Sequence, residues 1–219
     1  MQMKTIVCYG DSNTHGYDPA TGGRYAYPVR WTGRLQQLLG RDTCYVIEEG
    51  LNSRTTVHSD PCYDDDKSGL ALLPAILKTH MPVDLLILML GSNDMKSRFH
   101  MEAGEIARAA SLLVSTAKQV SASKSPDGTP CRILLVAPPP ISAALRDGAC
   151  YCEFGERALR ISPELSGWYE RVARSQQVFF LDAAALVQPS EIDGLHLTPD
   201  GHETLAQAIA QQCRTILSN

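Results

Sequence analysis

Residues 85–94 read Leu85-Leu86-Ile87-Leu88-Met89-Leu90-Gly91-Ser92-Asn93-Asp94. An apolar run without alternation, closed by a glycine and small polar residues, marks a strand buried on both faces of a parallel sheet. Working outward, the same pattern recurs at 5–9, 44–47, 132–137 and 178–181. Between these runs the apolar spacing turns helical. Trp31, Leu35, Leu38 and Leu39 form one stripe, with Gly40 as its expected C-cap. Ile106, Ala109, Ala110, Leu113, Ala117 and Val120 form a second, and Leu205, Ile209, Cys213 and Ile216 a third. Thr198-Pro199 opens that last helix, a hydroxyl N-cap followed by proline in the first turn. Strand alternating with helix implies right-handed crossovers and an α/β layer sandwich on a parallel sheet of five strands.

The chain has 219 residues, which fits one domain spanning 1–219. Folding at this size buries about 70% of the unfolded surface, so the core needs neither metal nor disulfide. Hydrophobic residues at 44% and charged ones at 20% exclude a disordered or collagen-like chain. A formal charge of −4 argues against a nucleic-acid partner, which would need basic neutralisation of phosphates. The run at 85–90 is far too short to span a membrane, and the apolar stretch at 6–9 too short for a signal-peptide core. Cys8, Cys44, Cys62, Cys131, Cys150, Cys152 and Cys213 form an odd set without a C-x-x-C pair, unlike a disulfide framework or a zinc ribbon. The expectation is a soluble cytoplasmic protein with reduced thiols, no metal and no cofactor.

Two stretches fit the alternation poorly. Residues 60–69, with Asp64-Asp65-Asp66, read as an exposed acidic loop lacking the ligand alternation and central glycine of a calcium loop. Pro138-Pro139-Pro140 opens a long excursion that carries Phe154, Arg157 and Arg160. Insertions of this length are usually lids or interfaces, which makes 141–163 the expected lid or oligomer contact.

In open α/β sheets, ligands bind beyond the carboxyl ends of the strands. There the sequence places Gly10-Asp11-Ser12-Asn13, Glu48 through Arg54, Gly91-Ser92-Asn93-Asp94 and Asp193-Gly194-Leu195-His196. An aspartate three residues before a histidine can fix the imidazole tautomer and stabilise the imidazolium. It can equally cap backbone amides while the histidine packs. Ser12, just after a buried strand, can be a nucleophile if a base reaches it, or simply an N-cap. The side-chain amide of Asn93 can donate to an oxyanion without losing a proton, or stabilise a turn with Gly91. Each alone admits a structural explanation; their arrival on one rim favours chemistry.

Together, Gly10-Asp11-Ser12, Gly91-x-Asn93-Asp94 and Asp193-x-x-His196 resemble the SGNH (GDSL-type) hydrolases, in that family's order and over nearly the whole chain. The resemblance implies a three-layer α/β/α sandwich, flavodoxin-like, with Ser12 as nucleophile, His196 as general base, Asp193 as its orienting carboxylate and Asn93 as an oxyanion donor. Val29-Arg30-Trp31-Thr32-Gly33, Val46 through Leu51, Arg54-Thr55-Thr56 and the three prolines are similar to the arylesterase/acyltransferase branch. That likeness implies small acyl esters as substrates, water, an alcohol or peroxide as acceptor, and a homo-oligomer. The family's second block usually supplies a glycine amide to the oxyanion hole; here Ser53 aligns there and Gly50 lies three residues earlier, so the oxyanion set is Ser12, Ser53 and Asn93. His15 is expected as a pocket wall and His202 as packing or capping.

The function expected is a serine esterase working through an acyl-enzyme, with acyl transfer as an added capacity. A carbohydrate O-acetyl esterase would use the same machinery. A non-catalytic flavodoxin-like module binding phosphate or flavin is the reading from another class; it suffers from Asp11 beside the anion site and leaves Asp193 and His196 unexplained.

Overall fold

Five strands form one parallel sheet in the order β2-β1-β3-β4-β5: β1 (Lys4–Gly10), β2 (Cys44–Gly50), β3 (Leu85–Met89), β4 (Arg132–Ala137) and β5 (Phe179–Asp182). This is the flavodoxin-like order, with its topological switch between β1 and β3. The computed structural model describes residues 3–125 and 127–218.

Alternate residues of the strands feed two separate cores. Val7, Tyr9, Leu86, Leu88 and Leu135 face one side, while Ile6, Cys8, Leu85, Ile87, Leu134 and Val136 face the other. Unbroken apolar runs are required in β1, β3 and β4, where both faces are covered. The reading of 44–47 and 178–181 as buried on both faces needs correction, because β2 and β5 are edge strands, partly buried, with Tyr45 and Phe179 exposed. The first face is packed by α3 (Gly69–His80), α4 (Ala103–Ala122), α5 (Tyr151–Ile161) and α6 (Leu165–Gln176). The second is packed by α2 (Trp31–Leu39) and α7 (Pro199–Ser218). The chain is thus a three-layer sandwich, as the sequence leads one to expect. Among the described residues no helix is long and apolar enough to cross a membrane.

All three expected helical stripes lie on helices, with one shift of face. Trp31 and Leu35 are buried on α2, but Leu38 is exposed. Gly40 ends α2 at φ 79°, and Thr198 Oγ1 accepts the Gly201 N–H at 3.1 Å at the start of α7. The patterning gave no notice of α3, where Pro74 interrupts the signal, nor of α5 and α6 in the excursion after β4. That excursion is largely helical: a 3-10 turn at Ala143–Asp147 precedes α5, which kinks at Gly155.

The acidic-loop reading of 60–69 needs correction at both ends: Lys67, Ser68 and Gly69 are buried, Ser68 capping α3 and Gly69 beginning it, and so is Asp60. Asp64, Asp65 and Asp66 are exposed, but Asp60 is buried against Arg98, at 2.7 Å, and Lys96, at 3.2 Å. Its partners come from the segment after β3, a distance in sequence that no local pattern reveals.

Candidate active site

The nucleophile candidate follows directly from β1. Asp11 caps a single helical turn, α1 (Ser12–His15), by accepting the Asn13 N–H at 3.0 Å. That turn holds Ser12 at the carboxyl edge of the sheet. Across the rim, the loop before α7 carries Asp193 and His196. The Ser12 hydroxyl and His196 Nε2 are 2.9 Å apart, and His196 Nδ1 lies 2.6 Å from Asp193 Oδ2. A carboxylate only accepts, so Nδ1 carries the proton and Nε2 is left to accept from Ser12. All three residues are buried.

Asp193 plays both parts that the sequence leaves open. Its Oδ1 accepts the Leu195 and His196 backbone N–H groups, each at 3.0 Å, while Oδ2 orients the imidazole. Burial alone would raise this carboxyl, but the hydrogen bond and charge of His196 and the two amides hold it below the usual carboxylate range. The turn depends on Gly194, at φ 66°: a Cβ there would meet the Leu145 nitrogen at 2.2 Å. Ser142 donates its N–H to the Gly194 carbonyl at 2.9 Å, so the start of the 141–163 segment braces the turn.

A contact that the sequence reading missed joins the two halves. The Asn13 amide donates to the Leu195 carbonyl at 3.2 Å and its Oδ1 accepts the Leu197 N–H at 2.9 Å. Asn13 therefore clamps the loop of His196 to the helix of Ser12. Tyr17 packs its ring on the imidazole, centroids 4.3 Å apart.

The opposite wall comes from the segments after β2 and β3. Asn93 donates one amide hydrogen to the Arg54 carbonyl at 3.2 Å, leaving the other free. Asp94 accepts the Thr56 N–H at 2.9 and 3.0 Å and also the Thr56 hydroxyl, which ties the two segments together. Arg54 is buried beneath, donating to the Gly10 carbonyl at 2.9 Å with its guanidinium over the Tyr9 ring. Ser53, at φ 65°, lines the cavity. Gly50 does not; a Cβ there would meet the His15 backbone nitrogen at 2.1 Å, so it is packed against α1. Among the described residues, neither the Ser12 nor the Ser53 N–H has an acceptor within the chain. Both remain open to a developing oxyanion.

These groups surround a cavity of about 240 Å³, whose far wall is formed by Tyr63, Lys96, Glu153 and Phe154. His15 is not part of its lining; Tyr17 is the aromatic wall instead. A larger apolar groove beside Lys4, Leu39 and Cys213 lies at the other end of the sheet and holds none of the expected catalytic or oxyanion residues. His202 caps α2, its Nδ1 accepting the Trp31 N–H at 3.3 Å. Burial, then the Arg34, His196 and Arg30 charges, push it down to about 3, so it stays neutral.

Asp11, next to the nucleophile, is pushed up to about 6, chiefly by burial; the Asn13 N–H and the neighbouring His196 oppose that rise. Its Oδ2 is buried without a partner. Cys150 also lines the cavity, its thiol raised to about 11 by burial and by the Asp193 and Glu153 carboxylates, which makes it a poor nucleophile beside Ser12. Among the described residues no group of three or more His, Cys, Asp or Glu converges as a metal site.

The fold has known counterparts. Residues 8–204 match the model of the GDSL-like Lipase/Acylhydrolase family. A carbohydrate acetylesterase family member from Sinorhizobium meliloti is 36% identical with a TM-score of 0.91, over 99% of this chain and 100% of that one. A second carbohydrate acetylesterase from the same organism is 37% identical with a TM-score of 0.88, over 97% of this chain and 99% of the other. The native aryl esterase of M. smegmatis is 37% identical with a TM-score of 0.88, again over 97% of this chain and 99% of that one. No curated protein gives a significant match.

Proposed function

The chain belongs to the GDSL-like lipase/acylhydrolase family, and from that premise we propose that Ser12, His196 and Asp193 hydrolyse small acyl esters through an acyl-enzyme. The observation that carries this is the buried relay from Ser12 Oγ through His196 to Asp193, with steps of 2.9 and 2.6 Å.

Ser12 Oγ attacks the ester carbonyl carbon while its proton passes to His196 Nε2; Asp193 holds the imidazolium so formed. The carbonyl oxygen becomes an oxyanion beside the Ser12 and Ser53 N–H groups and the free amide hydrogen of Asn93. His196 returns the proton to the departing alkoxide as its bond to carbon breaks, leaving the acyl group on Ser12. Water, deprotonated by His196, then attacks that acyl carbon and releases the acid, restoring the serine hydroxyl. An alcohol or peroxide in place of water gives acyl transfer. No step draws on a cofactor.

The likeness to the two Sinorhizobium carbohydrate acetylesterases supports O-acetylated carbohydrates as a second substrate reading. The phosphate- or flavin-binding alternative loses ground, because Asp11 is buried at the rim where an anion would sit and the relay fills it. The 141–163 segment, bracing the Asp193 turn and lining the cavity, supports its reading as a lid or a contact between copies in a homo-oligomer; light scattering at micromolar concentration tests the latter. The free thiols support a reducing compartment such as the cytoplasm.

The direct test is hydrolysis of para-nitrophenyl acetate by the purified protein. Ser12→Ala is expected to abolish it to within the residual rate set by the oxyanion site. Undiminished turnover by that variant would refute the proposal.

A further inference from the structure

We propose that Glu153 selects esters that carry a free hydroxyl near the scissile bond. This inference rests on the esterase reading above and adds a substrate preference to it. Glu153 stands on α5 and lines the same cavity as Ser12 and His196. Its two oxygens are unequally occupied. Oε2 receives Arg98 at 2.7 Å and lies 3.3 Å from Lys96, whereas Oε1, among the described residues, has only a share of the Tyr63 hydroxyl, which lies 3.4 Å from Oε1 and 3.5 Å from Oε2. An ionised carboxylate oxygen has room for two donors, so Oε1 retains acceptor capacity.

The neighbouring cation cannot compete as a recognition group. The Lys96 ammonium donates to Asp60 at 3.2 Å and to the Tyr63 hydroxyl at 3.3 Å, lies 3.3 Å from Glu153 as an ion pair, and is buried, its side chain 1% exposed. What the wall offers a ligand is therefore an acceptor. Its charges also balance: Lys96 and Arg98 face Asp60 and Glu153, all four joined by ion pairs. A cationic or anionic substrate group would leave an uncompensated charge against this partly buried wall, which is costly. A hydroxyl donates to Oε1 without disturbing that balance.

Sites built to bond a substrate hydroxyl discriminate against the analogue that lacks it, because their own polar group is left unpaired. Glu153 is only partly buried, with a side chain 25% exposed, so water compensates in part and the discrimination is modest, about tenfold.

The test compares kcat/KM for glycerol monoacetate and propyl acetate in the wild type, Glu153→Leu and Glu153→Gln. The wild type is expected to favour the glycerol ester about tenfold. The ratio should fall to near one in Glu153→Leu and to an intermediate value in Glu153→Gln, which keeps an acceptor oxygen and the side chain's shape. If the leucine variant does not fold, the glutamine variant carries the result alone. Three outcomes overturn the proposal: no hydroxyl preference in the wild type, a ratio unchanged by substitution, or a preference for acetylcholine over both esters. A wild type that cleaves neither these esters nor para-nitrophenyl acetate refutes the esterase reading itself, a result distinguishable from all three.

Discussion

Asn13 accepts the Leu197 backbone N–H at 2.9 Å across a gap of 184 residues in sequence. With its second bond to the Leu195 carbonyl, it brackets His196 on both sides. The separation of serine and imidazole is thus set by a side chain that takes part in neither proton transfer.

Asn13→Ala should therefore lower kcat by about 10- to 100-fold with little change in KM, since a small misplacement of reacting groups is enough to cost that much. Steady-state kinetics on para-nitrophenyl acetate check it; a change confined to KM would place Asn13 in substrate binding instead.

Asp193→Asn should lower kcat by about 10³- to 10⁴-fold, because the amide cannot hold the tautomer that leaves Nε2 free. A stability effect follows from the same carboxylate. Its folded pKa lies below the ordinary value, so its stabilisation is present above the unfolded pKa and is lost as pH falls through the folded one. Denaturant titrations from neutral to strongly acidic pH should show the wild type losing stability over that window more steeply than the variant.

Asp11 acts with the opposite sign. Its carboxyl is raised from 3.8 to about 6 in the folded chain, so the native state holds the proton longer than the unfolded one. Stability therefore declines as pH rises from about 4 to about 6, by up to about 3 kcal/mol, and the cost persists above. Asp11→Asn should remove that slope in urea titrations, the Asn13 N–H keeping an oxygen acceptor. A parallel pair of pH curves would contradict the assignment.

The two proposed oxyanion donors outside Ser12 differ in kind. Asn93→Ala removes a side-chain donor and should cost about 10²- to 10³-fold in kcat. Ser53 donates through its backbone, so Ser53→Gly keeps the N–H. Because Ser53 sits at φ 65°, glycine should also raise stability by about 1 kcal/mol in thermal unfolding.

How much of this is legible in sequence follows from the range of the forces involved. The strands announce themselves because burial on both faces demands an unbroken apolar run, as at Leu85 through Leu90. Ser12 and Asn93 stand out because each follows a strand, and Asp193 and His196 because they sit in the short loop before the last helix. Asp60, Lys96 and Glu153 do not: each is polar in a polar neighbourhood, and only their pairing, over 36 and more residues, explains why Lys96 and Glu153 stand in the wall with Asp60 buried behind them. His15 and Tyr17 are both near the nucleophile in sequence, but Gly16, in a left-handed conformation at φ 84°, turns the chain so that Tyr17 reaches the imidazole.

The central claim is that the hydroxyl of Ser12 carries the acyl group. Rapid acid quenching during para-nitrophenyl acetate turnover, followed by peptide mass spectrometry, tests it most directly. The account predicts an acetyl adduct on the peptide containing Ser12 in the wild type, absent in Ser12→Ala. An adduct on Cys150 or another side chain, with Ser12 unmodified during active turnover, would contradict it.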